Sequence, residues 1–202
     1  MLSAGINANI RAAYTFICQN YSSHDDELVL VGFSRGAFTA RPLASLLNDV
    51  GVLRKSALKH LRTIFDLWKY HHRQNPTRET SGGRRLFNAL YDLNTQGHLI
   101  QDVKIRACAV WDTVGALPGD KLGFVDERIA PNIELAVHAL ALNEERSQFK
   151  PLLWRHRYEP TASVSTSTLK QCWFLGTHSD IRGWKQIDRS REYILGLDDI
   201  SS

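Results

Sequence analysis

Apolar and polar positions divide the chain into segments of two kinds. Between Ile6 and Tyr21 the residues Ile6, Ile10, Ala13, Tyr14 and Ile17 recur at helical spacing, which predicts an amphipathic helix. The polar stretch Ser22-Ser23-His24-Asp25-Asp26 ends it. The run Leu28-Val29-Leu30-Val31-Gly32-Phe33 is apolar without alternation, the pattern expected of a central strand covered on both faces in a parallel sheet. From Gly36 to Val50 the helical period returns through Phe38, Leu43, Leu46 and Leu47, and Gly51 is placed to close that helix in a left-handed conformation.

Further along, Ser56 is a candidate cap for a helix running to about His72, with Leu58, Leu61, Ile64, Phe65, Trp68 and Tyr70 on its apolar face. Gln74 to Arg85, rich in Pro, Thr, Ser and Gly, reads as an exposed loop, and Arg84 to Asn94 as a short helix. Val103 to Trp111 is a second strand, followed by a Gly/Pro-rich loop from Gly115 to Gly123. Ile133 to Glu145 reads as another helix, and Lys170 to Leu175 as a third strand that ends at Gly176-Thr177-His178. Strands alternating with helices imply an α/β fold, a mainly parallel sheet with helices on both faces. A chain of 202 residues is of a length for one domain with a real core, and 1–202 is read as a single domain.

Composition narrows the classes of function. The hydrophobic fraction of 43% and charged fraction of 23% are those of a globular protein in water. A net charge of +4 arises from scattered Lys and Arg, with no run dense enough for a nucleic-acid arm. No apolar segment has the roughly 20 residues needed to span a bilayer, and the N-terminus lacks a basic region followed by an apolar run. The expected location is cytoplasmic, or secreted without a cleavable signal. Cys18, Cys108 and Cys172 are odd in number and lie in apolar stretches, unlike a disulfide framework. His71 and His72 are adjacent rather than spaced to meet on one helix face, so neither a metal site nor a cofactor is expected.

The chemistry gathers at strand ends. Gly32-Phe33-Ser34-Arg35-Gly36 is a Gly-x-Ser-x-Gly pattern between a buried strand and a helix, the setting in which a serine occupies a strained turn that lifts its hydroxyl clear of the sheet. Both glycines would let neighbouring backbone come close. The plain alternative is a tight strand-to-helix turn of any α/β protein, although Gly-x-Gly-x-x-Gly and the Walker Lys-Ser pattern are missing. A serine hydroxyl needs a base, and the base needs an acid to orient it. Asp112 directly follows one strand and His178 follows another, in the order serine, acid, histidine. Asp112 could instead bind loop backbone, and Asp180 is either an alternative acid or a support for the histidine loop. His138, in an apolar setting mid-helix, reads as a packing histidine, while His24, His60, His71, His72, His98 and His156 read as surface residues. The backbone N–H of Arg35 would be one oxyanion donor. Trp68, Trp154 and the loop from Gln74 to Arg85 could line an acyl site, with core packing or solvent exposure as the plainer reading.

With these residues the sequence resembles the α/β-hydrolase family of type VI secretion phospholipase-effector-like catalytic domains. The likeness runs through Asp26-Glu27, Gly32 to Arg41, Val110 to Gly115, His138 to Arg146 with Phe149 and Pro151, and Trp173 to Asp180. It implies Ser34 as nucleophile, Asp112 as acid and His178 as base. It also implies a lipid or other acyl ester as substrate, with peripheral membrane contact as a further expectation.

Three departures from the family pattern stand out. No first strand with an Asp-Gly-Thr motif precedes residue 28, so the domain is expected to be N-terminally incomplete, without its first strands and the loop that would give a second oxyanion donor. Asn143 stands where Asp is usual, and Ile181-Arg182-Gly183-Trp184 replaces a glycine-rich continuation. The expected activity is that of a serine hydrolase of carboxylic esters, lipase- or phospholipase-like, working through an acyl-enzyme. The competing expectation is a truncated or degenerate, non-catalytic hydrolase-like binding module.

Overall fold

The computed structural model describes residues 2–73, 81–114, 127–155, 167–181 and 194–196. The expected loop at Gly115 to Gly123, the part of the loop at 74–80, His156 and Arg182-Gly183-Trp184 lie outside them. The described residues divide into two compact units, with one boundary between Ala40 and Arg41.

One unit takes the chain through Leu28 and from Arg41 to Lys104. It holds helix α1 (Leu2–Asn20), most of α2 (Arg35–Val50), α3 (Leu61–Arg73), α4 (Ser81–Thr95) and a small antiparallel pair, β2 (Val52–Leu53) with β3 (Leu99–Ile100). The helical spacing in α1 buries Ile10 and Tyr14 completely and leaves Phe16 on the opposite face in solvent. Gly51 closes α2 as expected, at φ 80° with its N–H on the Leu47 carbonyl at 2.9 Å. A Cβ there would lie 2.3 Å from the Ile100 oxygen, so this position requires glycine on two grounds. The helix expected from Ser56 is two elements, a 3-10 helix over Lys55–His60 and then α3. Ser56 does not cap it: Arg54 stands at the cap without a side-chain bond, and the Ser56 hydroxyl lies 3.4 Å from His98 Nδ1. The short helix expected from Arg84 to Asn94 is α4, which begins earlier, at residues 81–83, expected in a loop.

The other unit takes Val29–Ala40, residues 105–114 and the described residues from Glu127 onward. Its sheet has the order β1 (Val29–Phe33), β4 (Ile105–Trp111), β5 (Ile133–Ala141), β6 (Thr168–Phe174), β7 (Ile194–Gly196). The first four strands run parallel and β7 is antiparallel, so the α/β class and the mainly parallel sheet are as expected.

Two expectations about the sheet are overturned. Ile133 to Glu145 is not a helix, because residues 133–141 form β5, between β4 and β6. An inner strand that buries both faces loses its alternation, and the Ala, Leu and Glu of this one then imitate a helix. The second correction concerns β1, which is not central but stands at the end of the described sheet. Leu30 is buried, whereas Val29 and Val31, on the other face, are 51% and 67% exposed. An unbroken apolar run does not report how many neighbours a strand has.

Register sets the stage for the chemistry. Phe33 pairs with Trp111, Trp111 with Ala139, and Ala141 with Phe174, so the carboxyl ends of four parallel strands share one rim. The ladder continues past those ends: Ser34 N–H donates to Trp111, Asp112 N–H to Ala139 and Leu142 N–H to Phe174.

Candidate active site

Ser34 stands alone between the end of β1 and the start of α2. Its φ of 56° is in the left-handed region that a side chain seldom adopts, the strained turn the sequence pattern calls for. Gly32 makes that turn possible, since a Cβ there would sit 2.6 Å from the backbone of Gly36 and Ala37. Gly36 is different: a Cβ on it would meet nothing within 4 Å, so the expectation of close approach holds for the first glycine alone. The Ser34 carbonyl accepts the Phe38 N–H at 3.0 Å and fixes the first turn of α2. Arg35 opens that helix, so its N–H has no acceptor within it.

Asp112 leaves β4 with φ 41° and is fully buried. Its Oδ1 accepts the Ala141 N–H at 3.1 Å, and its Oδ2 lies 2.5 Å from His178 Nδ1. His178, 6% exposed, places Nε2 2.9 Å from Ser34 Oγ. An ionised carboxylate can only accept, so Nδ1 carries the imidazole proton and Nε2 is left to accept from the serine hydroxyl. The structure thus brings Ser34, His178 and Asp112 into one hydrogen-bonded chain. Asp180, weighed as an alternative acid, binds its own loop, its Oδ2 accepting the Thr177 N–H and hydroxyl at 2.8 Å each.

The supports of the imidazole are scarcely visible in sequence. The rings of Phe33 and Phe149 lie 4.8 and 5.0 Å from that of His178. Glu144 Oε2 accepts the His178 backbone N–H at 3.1 Å. Arg146, by its hydrogen bonds, pulls the Glu144 carboxyl down to about 2, while partial burial opposes it and the Arg146 and His178 N–H groups assist. Asn143 Oδ1 accepts the Gly176 N–H, and the Asn143 N–H donates to the Gly176 carbonyl, which joins the β5 and β6 ends. Asn143 and Glu144 come into view only as positions in a family pattern, since contacts across strand ends leave no periodicity.

His138 is a satisfied core histidine, as expected, but on β5 rather than in a helix. Its Nε2 accepts the Thr113 N–H at 3.3 Å, and Nδ1 faces Gln171 Oε1 at 3.3 Å. Gln171 also bonds both the N–H and the carbonyl of Trp154, so a strand glutamine with no motif around it anchors this side of the rim. Trp68 and Trp154 are buried packing residues. His72, expected at the surface, is instead half-buried with Nε2 2.7 Å from Asp49 Oδ2. Among the described residues, no group of three His, Cys, Asp or Glu side chains is disposed to hold a metal ion, and no helix is long and apolar enough to cross a membrane.

The family model described as "T6SS, Phospholipase effector Tle1-like, catalytic domain" matches residues 1–200. The chain belongs to this family. All the residues of the hydrogen-bonded chain fall within the matched span. This family member is also 29% identical over 161 residues to an uncharacterized protein of Saccharomyces cerevisiae, an alignment that covers 75% of this chain and 22% of the relative. The chain therefore spans about a fifth of the length of the curated relative it matches. No solved structure matches it significantly.

Proposed function

We propose that this domain hydrolyses carboxylic esters of lipids, phospholipids foremost, through an acyl-enzyme on Ser34. The observation that carries the reading is the unbroken chain from Ser34 Oγ through His178 to buried Asp112 at one rim of a parallel sheet. The lipid part of the proposal draws on the phospholipase description of the family.

In this mechanism His178 Nε2 takes the proton of Ser34 as Oγ attacks the acyl carbonyl carbon. Asp112 holds Nδ1–H and stabilises the imidazolium that forms, while its second oxygen is occupied by the Ala141 N–H. The oxyanion of the tetrahedral intermediate accepts from the Arg35 N–H. Collapse expels the alcohol, which leaves with the proton from Nε2. Water then gives a proton to the same nitrogen and attacks the acyl-serine, releasing the carboxylic acid and restoring Ser34.

A fluorophosphonate probe and a fluorogenic diacyl phospholipid test this together. Labelling and acyl release in the parent protein, both abolished in Ser34→Ala, are expected. Well-folded parent protein that neither labels nor releases acyl groups would overturn the proposal in favour of a non-catalytic hydrolase-like module.

A further inference from the structure

Glu144, Arg146 and Phe149 reach His178 by two separate routes that meet at one guanidinium. Along the backbone route, the His178 N–H donates to Glu144 Oε2. Arg146 grips that carboxylate at both oxygens, with Nε 2.8 Å from Oε1 and Nη2 2.7 Å from Oε2. Along the ring route, Phe149 lies against the imidazole, and the Arg146 guanidinium sits 4.1 Å over the Phe149 ring. The Glu144 side chain is 2% exposed and that of Arg146 50%.

An exposed ion pair of this kind ordinarily contributes little. Here the carboxylate is covered, the contact is bidentate and the cation stacks on a ring, so the geometry of the whole segment is specified. From these contacts we infer that Glu144, Arg146 and Phe149 are positioning residues for His178, with Arg146 locking both its backbone and its ring. The inference rests on the proposed role of His178 as base. The imidazole must face Asp112 through Nδ1 and Ser34 through Nε2 at once, and it follows a strand end, where the sheet ladder no longer holds the backbone. The segment after β5 supplies what the ladder does not. Because none of the three residues lies between His178 and Ser34, their loss should impair proton transfer more than substrate binding.

The test compares Arg146→Met and Arg146→Lys with the parent in hydrolysis of a soluble short-chain diacyl phospholipid. In parallel, the Nδ1 proton of His178 is followed by NMR in protein labelled with 15N-histidine, identified by its loss in His178→Gln. A proton in so short a bond to Asp112 resonates far downfield. Arg146→Met is expected to lower kcat by about tenfold to a hundredfold with KM within about twofold, and to shift or broaden the Nδ1 proton. Arg146→Lys, which keeps the charge but neither the bidentate grip nor the flat stack, should recover only part of kcat. Folded Arg146→Met with an unchanged resonance and unchanged kcat would overturn the inference, as would a change confined to KM. If Arg146→Met does not fold, Phe149→Leu decides by the same two readouts. Should the parent protein hydrolyse no ester, the resonance alone decides, so failure of the enzymatic reading is distinguishable from failure of this one.

Discussion

His178 Nδ1 lies 2.5 Å from Asp112 Oδ2, a buried hydrogen bond between residues 66 positions apart. Replacing the carboxylate by an amide keeps the shape and removes the charge. The amide would present either an oxygen that no longer offsets an imidazolium or an NH2 that forces the proton onto Nε2, where it opposes the serine hydroxyl. The substitution Asp112→Asn is therefore expected to lower kcat by on the order of 10⁴ while the protein stays folded. Steady-state hydrolysis of the fluorogenic phospholipid, with circular dichroism as the folding control, measures it. A loss below about tenfold would remove Asp112 from the proposed mechanism.

Gly32 and Gly36 frame Ser34 symmetrically in sequence but not in space. A methyl at position 32 meets backbone of Gly36 and Ala37 at 2.6 Å, whereas one at position 36 meets open space. Backbone cannot rotate aside as a side chain can, so Gly32→Ala must displace the turn that carries the hydroxyl. Fluorophosphonate labelling is expected to fall at least about a hundredfold in Gly32→Ala and to stay within about threefold of the parent in Gly36→Ala. Equal effects from the two substitutions would show that the contacts around Gly32 do not control the serine.

Much of this is legible in sequence, and the gaps have physical causes. The strand-turn-helix around Ser34 is local: an apolar run, a glycine that must be a glycine, and an amphipathic helix all announce it. Asp112 and His178 are legible because parallel strands in register bring every carboxyl end to one rim, so a strand end is itself a coordinate. The strand at Ile133–Ala141 passes for a helix because burial on both faces removes the alternation that separates the two. The exposure of Val29 and Val31 is hidden because an apolar run reports composition and not neighbours. Glu144 reaches the His178 N–H and Gln171 reaches His138 and Trp154 across segments, while Arg146 binds Glu144 and Phe149 within its own irregular segment, and no helix or strand period encodes such contacts.

Glu144 offers a prediction in pH. Its carboxyl is held at about 2, against an ordinary 4.5, chiefly by the hydrogen bonds from Arg146, with partial burial opposing. A folded-state value lower than the unfolded one means that the ionised group favours the folded state. That contribution is complete above about 4.5 and drains away as pH falls toward 2. Parent protein should therefore exceed Glu144→Gln in urea midpoint in neutral buffer, and the gap should narrow progressively below about pH 4.5. Carboxylates elsewhere titrate in both proteins and cancel in the difference. A gap that stays constant down to about pH 3 would show that the charge of Glu144 has no part in it.

Tyr14 yields the corresponding prediction for the helical unit. Its hydroxyl is buried, donates to the Gly51 carbonyl at 2.8 Å and accepts the Leu53 N–H at 3.2 Å. Burial, followed by the nearby Cys18, pushes its pKa well above the usual tyrosine range, so it remains a neutral donor and acceptor. The same burial pushes the Cys18 thiol up to about 11. Gly51 ends α2 and Leu53 lies in β2, so one hydroxyl from α1 satisfies two main-chain groups on either side of a turn that has no room for a side chain. Tyr14→Phe keeps the ring, strands the Gly51 carbonyl and takes the hydroxyl from the Leu53 N–H, leaving that group to the Cys18 thiol. The expected cost is about 1–3 kcal/mol, read as a lower urea midpoint with an unchanged slope. Cys18 should also become measurably alkylated by iodoacetamide under native conditions as the helix opens more often. A loss below about 0.5 kcal/mol would mean that water or a shifted backbone replaces the hydroxyl, and that the junction of α1 with the α2–β2 turn is held by packing alone.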